Sequence, residues 1–294
     1  MRSAALAALS VLLVGSAPPP KLPTPNDIVA AAPSDAWKTI PSDDLLILDM
    51  KEGGRVVIEL APAFAPVHVA NIRALSRAHY WDGASVYRVQ DDYVAQWGLN
   101  DSGKPWPKGV EPKPPAEYQR SLRGLAVTPL GSSDPYAPAA GFADGWPVAY
   151  SPGGGWMNLA HCYGSVGVGR DLSPDTGTGG ELYAVIGHGP RQLDRNIALV
   201  GRVVDGIDHL SSLVRGTGDL GFYKDKAQYV AIAGIRLASD MPAASRPSYQ
   251  VMDTQSRAFA AYLHVRANRH DAFYIRPAGG VDLCNVNVPV RKVG

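Results

Sequence analysis

The residues best suited to chemistry lie in the run Val86 to Gly98, VYRVQDDYVAQWG. Alternation puts Val86, Arg88 and Gln90 on one face of a strand, and beyond the turn at Asp91-Asp92 it puts Val94 and Gln96 on a common face. The spacing predicts an arginine on the inward side, in an apolar setting. Arginine is rarely buried unless it meets a carboxylate or a ligand. The guanidinium therefore either closes a structural ion pair or grips something the chain binds. His161 beside Cys162 also invites a metal or nucleophile reading. Two neighbours make neither a ligand set nor a triad, and no metal or cofactor is expected.

The elements that must hold this run are legible around it. Leu45–Asp49 and Arg55–Leu60 form a hairpin about Glu52-Gly53-Gly54, with Val56, Ile58 and Leu60 on one face. Pro66 suits the first turn of a helix, and Val69, Ile72 and Leu75 recur at helical spacing to about His79. Further strands are expected over Gly164–Arg170, Glu181–Gly187 and Ala227–Leu237, separated by the turn-rich loop Asp171–Gly180 and a second helix near Ile207–Val214. Pro18–Asp44 lacks sustained periodicity and reads as a tether. Asp101–Cys162 reads as a long loop rich in Pro, Gly and aromatic residues. Its rings, Trp106, Tyr136, Trp146, Tyr150 and Trp156, either pack the loop onto the main domain or cap a groove. Met241–Ser248 is a linker, Thr254–Asn268 a helix, and the tail strand-like.

With 294 residues, 46% hydrophobic and 19% charged, the chain can bury a sizeable core. A net charge of +1 and the lack of any Lys/Arg run argue against nucleic acid or anionic lipid as a partner. Met1–Ala17, with Arg2, an apolar stretch and small residues, reads as a secretory signal peptide, which implies a periplasmic or secreted protein. No later segment approaches the length of a membrane span, and no cysteine follows the leader to take a lipid anchor. Cys162 and Cys284 suit one disulfide in an oxidising compartment, or two buried thiols.

Four blocks, in order, resemble the cyclophilins, the peptidyl-prolyl cis/trans isomerases. In Val86–Gln96 the residues Val86, Tyr87, Arg88, Tyr93, Val94 and Gln96 match the family's Phe-His-Arg and Phe-Met-x-Gln pattern. Ala65–Gly83 resembles its first helix, Gly164–Arg170 its Gly-x-x-x-Met-Ala-Asn strand, and Arg191–Leu213 its Trp-Leu-Asp, Phe-Gly-x-Val and Gly-Met segments. The resemblance covers Leu45–Leu237 with an insertion at 101–162, and leaves 241–294 as an appended unit. It implies a mainly β fold: a closed eight-stranded antiparallel barrel capped by two helices, with a small C-terminal α/β extension.

It also implies a site and a substrate. Arg88 would be the catalytic residue; Tyr93, Val94, Tyr183, Leu193 and Val200 would form an apolar proline pocket; Gln96, Gly169 and Arg170 would hold the peptide chain. The substrates would be proline-containing polypeptides. Glu181 stands where the family has glutamine and could pair with Arg88 or Arg170. Val94 and Val200 are smaller than the usual residues, so a peptide-binding or chaperone module with weak catalysis is the alternative. Asn71 and His68, on the helix, are expected to be structural.

Overall fold

The computed structural model describes residues 22–100, 102–271 and 273–293; the leader expected at 1–17 lies outside them. Thr24 caps α1 (Pro25–Ala30) by accepting from the Asp27 amide, while the Asp27 carboxylate accepts from the Thr24 amide. After β1 (Trp37–Thr39) come β2 (Leu45–Met50) and β3 (Arg55–Leu60), paired about a turn in which Gly53 and Gly54 have φ of 99° and 104°. α2 (Pro66–Arg77) starts on proline and buries Val69, Ile72 and Leu75, each contributing about 1.5–3 kcal/mol. β4 (Ser85–Val89) and β5 (Val94–Gly98) form the next hairpin.

The chain then leaves for a separate sheet of β6 (Arg120–Ser121), β7 (Val127–Pro129), β8 (Ala139–Ala143), β9 (Trp146–Ser151) and β10 (Trp156–Leu159). It returns through β11 (Ser165–Val168), β12 (Leu182–Val185), β13 (Leu199–Asp205), the short α3 (Asp208–Ser211) and β14 (Val230–Leu237). β15 (Ser248–Met252), α4 (Arg257–Ala267) and β16 (Val290–Val293) complete it.

Eight strands close into an antiparallel barrel in the order β11-β12-β5-β4-β14-β2-β3-β13, with β13 pairing back to β11. Alternation then decides which side chains fill it. Leu46, Leu48, Ile58, Val86, Trp97, Val166, Leu182 and Val200 share one buried cluster inside. Residues of the opposite parity face outward: Leu45, Ile47 and Val57 into a second core, and Val94, Tyr183 and Val185 into a smaller cluster, two of whose members, Val94 and Tyr183, floor a groove. β2 is buried on both faces, which is why it reads as an unbroken apolar run.

The second core corrects the domain reading. Residues 25–44 are not a tether: α1 packs on α4, and β1 joins β15 and β16 in a three-stranded sheet. Their elements span six and three residues, too short for a period to show. The insertion is likewise a five-stranded sheet, not a loop, and its Leu130, Ala140 and Phe142 pack with Phe259 and Tyr262 of α4. Cys162 and Cys284 are disulfide-bonded, fastening the tail beside this core. α3 is shorter than the helix expected to reach Val214.

The insertion also finishes α2. Ala65 offers that helix no side-chain cap. The Glu117 carboxylate accepts from the amides of Val67 (2.9 Å) and His68 (3.0 Å) and meets His68 Nδ1 at 2.7 Å, placing negative charge at the positive end of the helix. Asn71 donates to the carbonyls of Glu111 and Thr178, pinning two loops to the helix.

Candidate functional site

A groove of about 860 Å³ runs over the outer face of β4, β5 and β12. One end lies under Leu220 and Phe222, the other between 102–106 and the loop at 171–178. Residue parity along β5 and β12 gives Val94, Gln96 and Tyr183 to this face and Ala95, Trp97 and Leu182 to the barrel interior.

Arg88 reaches the groove by an irregularity. On β4, Val86 pairs with Trp97 and Arg88 with Gln96, so Tyr87 is one residue too many. Such a bulge re-aims the following side chains. Val86 and Val89 consequently fall inside the barrel while Tyr87 and Arg88 both face the groove. The expectation that Arg88 shares the inward face of Val86 is therefore corrected: the guanidinium lies half-buried on the outer face.

Neutral oxygens hold it there. Arg88 Nε donates to the Leu220 carbonyl at 2.7 Å, one terminal nitrogen to Gln96 Oε1 at 3.0 Å, and the other to Gln90 Oε1 at 2.6 Å. Its carbon sits 5.7 Å from the Tyr93 ring centre and 5.2 Å from that of Phe222, within cation–π range. Burial lowers its pKa from the ordinary arginine value, opposed by the nearby tyrosines. The turn carrying Leu220 depends on backbone in the left-handed region, with φ of 53° at Leu220 and 80° at Gly221. A Cβ on Gly221 would stand 2.5 Å from Gln90 Cα, so only glycine allows that approach.

Beside Arg88 the groove has an apolar floor of Tyr93, Val94, Tyr183 and Ile197. Tyr183 is anchored from behind by a buried chain of polar groups. Its hydroxyl lies 3.0 Å from His161 Nε2; His161 Nδ1 lies 2.8 Å from Asp194 Oδ1. Asp194 Oδ2 accepts from Arg191 Nε at 2.6 Å, and Arg191 Nη2 reaches Asp134 of the insertion at 2.8 Å. Because an ionised carboxylate only accepts, a neutral His161 carries its proton on Nδ1 and receives the Tyr183 hydroxyl on Nε2. Burial, with Tyr93 and Asp194 adding, raises the Tyr183 pKa far above the ordinary value, so the hydroxyl keeps its proton. Burial alone would lower Arg191; Asp194 and Asp134 outweigh it and hold the arginine above its ordinary value.

Of the residues named from sequence, Arg88, Tyr93, Val94, Gln96, Gly169, Arg170, Glu181 and Tyr183 line this groove. Leu193 and Val200 do not. Val200 occupies the interior face of β13, and Leu193 sits half-buried on the turn Arg191–Leu193, while Ile197 takes the place beside Tyr183. Glu181 is engaged by Tyr87 and by the amides of Leu99 and Asn100, and Arg170 donates to the carbonyls of Asn196 and Asp171. Sequence reasoning missed Leu220, Phe222 and the anchoring role of His161. The glycines of Gly216-Thr-Gly-Asp-Leu-Gly signal a turn but not its destination. Among the aromatic residues of the insertion, Trp106 stacks on Tyr80 at 5.1 Å and lines the groove, whereas Trp146 packs against Phe64 and Tyr136 lies under Arg191.

Among the described residues, no group of three or more His, Cys, Asp or Glu could hold a metal ion. What the groove can do is non-covalent: present a fixed cation beside an apolar floor.

Comparison with known proteins bears on what it binds. The family model for cyclophilin-type peptidyl-prolyl cis-trans isomerases matches residues 46–236. Curated proteins from Brucella suis and Brucella abortus, each named as a probable peptidyl-prolyl cis-trans isomerase, are 26% identical over 175 residues, which is 60% of this chain and 74% of theirs. The crystal structure of a cyclophilin from Hirschia baltica superposes with a TM-score of 0.69 at 24% identity, covering 92% of this chain and 98% of that one. That coverage extends past the barrel, so the fold likeness takes in most of the insertion and the extension.

Proposed function

The chain belongs to the cyclophilin-type peptidyl-prolyl cis/trans isomerases, and from that premise we propose that Arg88 stabilises the twisted X-Pro amide, in proteins folding outside the cytoplasm. Rotation about a peptide bond crosses about 18–20 kcal/mol, while the cis and trans forms of X-Pro differ by only about 0.5–1 kcal/mol. No nucleophile is needed. In the twisted state the prolyl nitrogen regains its lone pair and accepts a hydrogen bond that the planar amide cannot.

The observation that carries this reading is how Arg88 is held. The fork has five N–H groups, and three are engaged by neutral oxygens. One N–H on each terminal nitrogen remains for substrate, and no acceptor among those three cancels the charge. One can hold the carbonyl while the other meets the prolyl nitrogen, with the pyrrolidine ring on Tyr93, Val94, Tyr183 and Ile197. A charge-assisted hydrogen bond made only in the twisted state is worth about 1.5–3 kcal/mol, or roughly 10- to 150-fold in rate. The rest comes from gripping the ring and its flanking carbonyls in one geometry.

The Cys162–Cys284 bond supports an oxidising compartment, as does the leader-like composition of 1–17. Arg88→Ala should slow catalysed isomerisation of an X-Pro peptide at least tenfold, read by exchange NMR on the mature protein. Equal rates for variant and parent would remove Arg88 from the mechanism; tight peptide binding by the parent without any catalysed exchange would leave a binding module. For the compartment, the N-terminus of protein recovered from cells should begin after the leader, and an intact Met1 in cytoplasmic protein would refute the placement.

A further inference from the structure

One of the oxygens that holds Arg88 belongs to a side chain whose shape is the same turned around. The Gln96 amide has an oxygen on one side and an NH2 of similar size on the other. Flipped, it would set two donors against the guanidinium. Its direction is fixed further along the groove. Gln96 Nε2 donates to the Tyr87 hydroxyl oxygen at 2.7 Å, and that hydroxyl donates to Glu181 Oε2 at 2.8 Å. Glu181 Oε1 accepts from the amides of Leu99 at 3.0 Å and Asn100 at 3.1 Å.

The donors and acceptors along this chain set its direction. Backbone amides only donate, and an ionised carboxylate only accepts. As a carboxylate, Glu181 takes the Tyr87 proton, the Tyr87 oxygen accepts from Gln96, and the Gln96 carbonyl faces Arg88. The backbone is shaped for this chain: a Cβ on Gly98 would fall 1.9 Å from Glu181 Oε2, and the bulge that turns Tyr87 outward lies in the same strand pair.

We propose that Glu181 and Tyr87 are positioning residues of the isomerase, fixing the Gln96 amide so that its oxygen holds the Arg88 fork where the twisted amide forms. The proposal rests on the reading of Arg88 given above. Because the prolyl nitrogen becomes an acceptor only in the twisted state, misplacing Arg88 costs turnover and leaves ground-state binding nearly intact. Glu181→Gln keeps the shape but can donate to Tyr87, which lets the whole chain reverse. Tyr87→Phe breaks it while leaving the Leu99 and Asn100 contacts of Glu181 in place.

The test is exchange NMR with a short peptide holding a single X-Pro bond, which yields both the catalysed rate and Kd. Glu181→Gln and Tyr87→Phe should each lower the catalysed rate about tenfold, equivalent to about 1.4 kcal/mol. Kd should change less than about twofold, and the double variant should be no slower than the slower single one. Thermal melts show which variants are folded; if Glu181→Gln is not, Tyr87→Phe decides. A folded Tyr87→Phe that keeps the parental rate overturns the proposal, as do effects of the two substitutions that multiply. Arg88→Ala run in parallel separates the two claims. A slow Arg88→Ala beside a fast Tyr87→Phe sinks only the positioning chain, whereas an unaffected Arg88→Ala sinks the reading beneath it.

Discussion

Replacing Asp194 by alanine strikes the point where the polar chain behind Tyr183 branches. Its Oδ1 accepts from both the amide and Nδ1 of His161, at 2.9 and 2.8 Å, and its Oδ2 accepts from Arg191. The Asp194 side chain is 7% exposed and that of Arg191 5%, so the pair is shielded from bulk solvent. Arg191 would keep Asp134 alone. Removing one partner of a buried ion pair costs about 3–5 kcal/mol. For a chain of this size each kcal/mol moves the melting temperature by about 2–4 °C, so the variant should melt roughly 6–20 °C below the parent. Asp194→Asn keeps the shape and should lose less. The second readout is the site. With His161 no longer held, the Tyr183 hydroxyl loses its fixed acceptor, and the groove should bind an X-Pro peptide several-fold more weakly in NMR titration. An Asp194→Ala protein that melts within about 2 °C of the parent would show that the five groups are independent neighbours.

Two further substitutions test the scaffold. Cys284→Ser opens a closure of 122 residues, worth up to about 4–5 kcal/mol in the chain-entropy account. Its urea midpoint should fall to that of the reduced parent, and equality with the oxidised parent would refute a stabilising role. Asp49 accepts from Arg55 at 2.6 Å and Arg236 at 2.7 Å. Burial opposes ionisation there, but the two arginines prevail and hold its pKa below the ordinary carboxylate value. A lowered folded-state pKa gives stability that is present above the unfolded value and lost as pH falls through the folded one. Asp49→Asn should therefore cost about 1 kcal/mol at pH 7, with the gap closing in strong acid; a gap independent of pH would refute the ion-pair account.

Most of the barrel was legible because its strands carry their own signals, whereas β13 (Leu199–Asp205) lay in a stretch placed by resemblance alone. The apolar run of Leu45–Leu48 follows directly from both faces being buried, and in Arg55–Leu60 the period-two set Val56, Ile58 and Leu60 marks the interior face, although Val57 and Glu59 are buried on the other. The site was legible as a set of residues more than as a geometry. A single extra residue at Tyr87 inverts the parity on which the placement of Arg88 depended, and nothing in VYRV announces a bulge. Val200 was misplaced for a related reason: a matched position names a residue but not the strand face it takes. The insertion escaped because its strands run from two to six residues and contain Pro129 and Pro147, which reads as loop. His161 looked idle beside Cys162 because its partners Tyr183 and Asp194 lie 22 and 33 residues away.

The little sheet that joins the two ends of the chain bears on how the protein comes together. Trp37 faces Met252, and Leu46 in the barrel faces Leu237. Strands far apart in sequence are thus matched. Neither the barrel seam nor the small sheet can form until the segment between their paired strands has emerged, and such long loop closures are slow and leave strand edges uncovered meanwhile. An isomerase of prolyl bonds would itself be a slow, late-closing folder.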